Sequence, residues 1–110
     1  MPGLSRRKGG RIERELVRLH LEAGIGAVKL SRTGYAGSDL QIAEAFSAEV
    51  KARASGNGFK QPEAWLGDGD LLFVRRDRQS PLVVLPWSVY LMVLKGYLEY
   101  QQLTGQDGAA

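Results

Sequence analysis

The chain has 110 residues, 44 % of them apolar and 25 % charged, with a formal net charge of +3, one histidine and no cysteine. That is the size and make-up of one globular domain, and it excludes a disulfide framework and any thiolate metal site. The longest apolar stretches, Leu82 to Leu85 and Val89 to Leu94, are too short to span a bilayer, and no apolar run follows the basic start as a secretory signal requires. Intracellular, cytoplasmic residence without a membrane is the expectation.

Residues 1–10 hold Pro2, Gly3, Gly9 and Gly10 together with Arg6, Arg7 and Lys8, which predicts a flexible basic arm. Ile12, Leu16, Leu19 and Ala23 then recur at helical spacing and predict an amphipathic helix from Arg11 to Ala23, stopped by Gly24. Glu13 borders the apolar stripe, so its carboxylate can look inward. The basic cluster suits a phosphate backbone, although Glu13 and Glu15 also allow ion pairing along a solvated helix face.

Ile25 to Leu30 reads as a strand, and Ser31 to Ser38, with Gly34 and Gly37, as a loop. Asp39 opens the next strand, Glu44-Ala45 is the expected turn, and Phe46 to Ala52 the return strand, making a three-stranded meander. In that return strand Glu49 and Lys51 project from one face. Ala54 to Gly58 is small and turn-prone, and Phe59 to Leu66 reads as a short helix with Pro62 near its start and Gly67 at its end. Leu71 to Val74 is a continuous apolar run bounded by charge, the pattern of a buried strand. Leu82 to Leu85 is a fifth strand, and a helix runs from about Ser88 to Leu103. Residues 11–104 therefore read as a single α/β domain with about five strands flanked by helices, and 105–110 as a disordered tail.

Asp39 and Glu49 are the best pair of metal ligands, because magnesium takes one or two protein carboxylates together with water and substrate phosphate. Lys51 can orient an attacking water or hold charge that develops on phosphate. The competing reading is an exposed Glu49–Lys51 ion pair, worth well under ~1 kcal/mol. His20 reads as a partly exposed helix residue. Trp65, Trp87, Tyr90, Tyr97 and Tyr100 read as core or subunit-interface aromatics, and Asp68 and Asp70 as turn residues. Arg75, Arg76 and Arg78 fit either a phosphate contact or a solvated loop.

Taken in order, Arg7-Lys8-Gly9, Glu13-Arg14-Glu15-Leu16-Val17, Gly26-Ala27-Val28-Lys29, Ser38-Asp39-Leu40 and Glu49-Val50-Lys51 resemble archaeal-type Holliday junction resolvases of the PD-(D/E)xK nuclease superfamily, over about residues 6–53. The resemblance implies a restriction-endonuclease-like core with a central mixed sheet. It also implies a homodimer that hydrolyses phosphodiesters of branched DNA with magnesium, manganese being able to substitute. Carried onto this chain, it implies metal binding by Glu13, Asp39 and Glu49 and catalysis by Lys51, with Gln61 as the helix glutamine that follows the Glu-x-Lys strand. Arg6, Arg7, Lys8 and Arg11 would hold DNA, as would Ser31, Arg32 and Thr33 in the loop. Ser38 replaces the superfamily's proline, and the segment Phe59 to Leu66 is shorter than the resolvase helix. A nuclease acting on linear, nicked or flapped DNA, and a non-catalytic DNA-binding module, are the alternatives.

Overall fold

The computed structural model describes residues 2–30 and 38–104, and of residues 2–9 only the backbone. The first helix, α1, runs from Pro2 to Glu22, so the stretch expected to be a flexible arm is helical from its start. Proline at the first helical position gives up no needed N–H, and Gly9-Gly10 costs ~1 kcal/mol per residue relative to alanine without acting as a stop. The stop is Gly24, at φ 84°. Its N–H bonds Leu21 O at 3.0 Å, and the Ile25 N–H reaches back to His20 O at 2.8 Å. This left-handed closure satisfies the last carbonyls and drives Ile25 inward, to 0 % exposure.

Three short strands follow: β1 (Ala27–Lys29), β2 (Leu40–Ile42) and β3 (Phe46–Ala48). They form the antiparallel meander expected from the sequence, in the order β1-β2-β3. Ala27 pairs with Ile42 and Lys29 with Leu40, while Leu40 also pairs with Ala48. Side chains opposite one another share a face. Ala27, Leu40 and Ile42 are therefore buried together beside Ile25, whereas Val28 and Gln41 are exposed. Helix α1 lies against β1.

The turn sits one residue earlier than expected. Ala43 and Glu44 hold φ of 55° and 57°, and the Ala45 N–H bonds Ile42 O at 3.0 Å. Two central residues at positive φ match the right-handed twist of a hairpin, but residues with a Cβ pay ~1 kcal/mol or more each to stay there. Changing Ala43-Glu44 to Asn-Gly should therefore raise the unfolding free energy by about 1–2 kcal/mol, read as a higher urea midpoint at constant slope.

Four elements follow: α2 (Lys60–Leu66), β4 (Leu72–Val74), β5 (Leu82–Val84) and α3 (Trp87–Thr104). Strands β4 and β5 pair antiparallel through Leu72–Val84, Phe73–Val83 and Val74–Leu82. The five strands thus form one sheet of three and one of two, all antiparallel. By its internal contacts the chain divides into two compact units, Met1–Ala52 and Arg53–Ala110. The turn-rich start of the second, with Gly56 at φ 74° and Gly58 at 89°, gives no strand or helix that would continue the first.

Leu71 to Val74 is not the buried strand its apolar run predicts: Leu71 and Phe73 are exposed. A continuous apolar run asks for cover on both faces, and a two-stranded ribbon with α2 against β4 does not supply it. In α3 the Trp87 and Tyr90 rings lie 5.2 Å apart at 41°, and burial raises the Tyr90 phenol above its ordinary value. No helix among the described residues is long and apolar enough to cross a membrane.

Candidate functional site at the open end of the meander

The register gathers the chemistry at one end of the three-stranded sheet, away from the turn. There β1 ends at Lys29, β2 begins after Asp39, and β3 runs out at Ala48, just before Glu49. Asp39 joins all three. Its carbonyl accepts from the Leu30 N–H at 2.9 Å, its own N–H donates to Ala48 O at 2.9 Å, and its carboxylate Oδ2 accepts from the Val50 N–H at 2.7 Å. The last bond places the Asp39 carboxylate against the middle residue of Glu49-Val50-Lys51. Because β3 stops at Ala48, those residues are irregular backbone rather than the strand expected to continue to Ala52. A carboxylate that caps a backbone N–H replaces the ladder bond lost there.

Glu49 and Lys51 do form the ion pair that their shared face suggests, at 3.8 Å, and both are more than half exposed. A pair this exposed contributes little to stability, so both groups can change partners when an anion or cation arrives. Glu13 does look inward from α1, but its carboxylate lies 3.8 Å from the Lys29 ammonium. Lys29 opposes Leu40, next to Asp39, so Glu13 approaches this end of the sheet through a lysine. Sequence reasoning left Lys29 without a role. Its one signal was a charge ending an apolar strand beside the Asp39 strand.

The donors here are carboxylate oxygens, which suit a hard cation that needs only one or two protein ligands. Asp39 Oδ2 is committed to the Val50 N–H, and Glu49 is the residue just before Val50, so both acids belong to this end of the sheet. Among the described residues, no three His, Asp or Glu side chains converge as a metal-holding group.

Gln61 is exposed on α2, in the unit Arg53–Ala110 and not in the one that carries Asp39 and Glu49. Arg11 is exposed on α1, and Arg6, Arg7 and Lys8 occupy its first turns as backbone. Ser31, Arg32 and Thr33 lie outside the described residues, as does the tail 105–110. His20 is not the partly exposed residue its position suggests. It is 3 % exposed, and its Nδ1 donates to Leu16 O at 2.7 Å, which makes it part of the core. No family model, curated protein or solved structure matches this chain.

Proposed function

We propose that the protein is a magnesium-dependent DNA endonuclease, in its most specific form a resolvase of four-way junctions. The observation that supports this best is the Val50 N–H bond to Asp39 Oδ2 at 2.7 Å, which brings the Asp39 carboxylate to the segment that holds Glu49 and Lys51. When bound, magnesium or manganese would supply Lewis acidity to the scissile phosphate. Asp39 and Glu49 provide the oxygens that hold it. Lys51, exposed and loosely paired with Glu49, exchanges that carboxylate for phosphate and steadies the charge that builds as water adds to phosphorus and a P–O ester bond breaks. Arg6, Arg7, Lys8 and Arg11 belong to one helix, four cations in one element for the flanking backbone. The reading carries with it a restriction-endonuclease-like core with a central mixed sheet of about five strands, whereas the described strands form two antiparallel sheets, of three and of two.

The test is cleavage of a synthetic four-way junction and of its linear arms, with magnesium and with chelator. A magnesium-dependent product from the junction alone supports the resolvase, and equal rates on both substrates point to a general nuclease. Salt-sensitive binding without any product would leave a non-catalytic DNA-binding module.

Paired cuts call for a homodimer, and α3 offers a surface for one. Val89 and Leu103 lie seven residues either side of Gly96, and Met92 and Tyr100 four residues either side, so these five residues share a helix face. Met92, Tyr100 and Leu103 are exposed, Leu103 at 83 %, and a Cβ at Gly96 would meet nothing within 4 Å. Under two-fold symmetry about Gly96 each apolar residue of the stripe would face an apolar residue of the second copy, Val89 against Leu103 and Met92 against Tyr100. Met92→Glu with Tyr100→Glu is therefore expected to halve the sedimenting mass while the circular dichroism spectrum stays unchanged.

A further inference from the structure

The unit Arg53–Ala110 contains a feature that the carboxylate site does not use: a groove of about 720 Å³ lined by Trp65, Phe73, Arg75, Arg76, Gln79 and Leu82, among others. Large apolar side chains line its walls in the open. Trp65 is 60 % exposed and Phe73 66 %. Leaving two aromatic rings in water forfeits the burial free energy that such rings ordinarily provide, and here they stand beside cations. The turn that follows β4 carries Arg75, Arg76 and Arg78 against one acid, Asp77. Arg75 Nε donates to Gln79 O at 3.0 Å, which fixes its guanidinium plane and leaves the two terminal nitrogens to make contacts. Arg78 sits at φ 64°, and the Gln79 N–H bonds Arg76 O at 3.0 Å, so the basic turn is held at the end of the ribbon.

Aromatic faces next to fixed guanidinium groups in a concave site match one ligand chemistry in particular. An apolar helix of a partner protein would leave the arginines without acceptors. A DNA duplex hides its base faces and would leave the rings without partners. Single-stranded DNA offers both halves, bases with open π-faces and a phosphate at every step. We propose that this groove binds single-stranded DNA, with bases stacked on Trp65 and Phe73 and phosphates held by Arg75 and Arg76. The groove is lined by residues of the unit Arg53–Ala110 and by neither Asp39 nor Glu49, so the inference stands whether or not those residues cleave DNA.

The experiment is a fluorescence-anisotropy titration of the full chain with a labelled oligothymidine in chelator, where no cleavage can interfere. Trp65→Ala with Phe73→Ala should weaken binding about tenfold or more, and Trp65→Phe, which keeps a ring, should restore most of it. Arg75→Ala with Arg76→Ala should lower the slope of log affinity against log salt by about one. In a Trp87→Phe background, the oligonucleotide should quench the emission of Trp65, a stacking signature that a merely structural tryptophan would not give. The proposal is overturned if the alanine pair, folded by circular dichroism, binds within about twofold of the parent. It is equally overturned if duplex affinity falls as far as single-strand affinity, or if the substitutions change the sedimenting mass and not the binding.

Discussion

Asp39→Asn is expected to reduce magnesium-dependent cleavage of a four-way junction by about a hundredfold or more, with the fold intact. The two consequences separate because, on the proposed reading, the carboxylate has two jobs. An asparagine carbonyl oxygen still accepts from the Val50 N–H, as Asp39 Oδ2 does at 2.7 Å, so the link between the strand ends survives. What is lost is the negative charge that attracts a divalent cation. Glu49→Gln should behave alike for a simpler reason: the side chain is more than half exposed and its partner Lys51 stands 3.8 Å away, so little stability rests on it. Melting within about 1 kcal/mol of the parent, together with a collapse of product on a junction gel, is the expected pair of results. If either variant cleaved at the parent rate, the metal assignment would be wrong.

Leu40→Ala should destabilise the three-stranded unit by about 2–5 kcal/mol, and Gln41→Ala by less than about 0.5. Leu40 is 1 % exposed and faces Lys29 and Ala48 across the ladder, so removing its branched end leaves a cavity in the core. Gln41, one residue away, points to solvent. The contrast is also a test of register, because a one-residue slip exchanges the two faces of a strand. Urea unfolding of both variants measures it, and a Gln41 cost larger than the Leu40 cost would refute the pairing. Leu40 follows Asp39 directly, so the larger loss should carry cleavage down with it under mild denaturant, well before the Gln41 variant is affected.

Much of the first unit was legible because its signals are local. Gly24 ends α1 since only its left-handed φ lets Ile25 turn inward. The alternation in Leu40-Gln41-Ile42 set which side chains face the core. From that alternation and a short loop, the meander follows, and with it the meeting of Asp39 with the Glu49 segment. The sheet partners of β4 and β5 were not legible, because an apolar run states that burial is wanted and not what will provide it. The end of β3 at Ala48 depended on the Asp39 carboxylate capping Val50, a bond between residues 11 apart that no periodicity announces.

By itself, then, the sequence determined most of the local elements after Arg11 and the acidic and basic residues of the candidate site. Each follows from the preferences of residues within a few positions of one another. Only the tertiary structure decided that Glu13 meets Lys29, that His20 is sealed in the core, and that Trp65 and Phe73 stand exposed beside Arg75 and Arg76. Those outcomes depend on which surface covers which, a competition among distant segments for a small amount of apolar area.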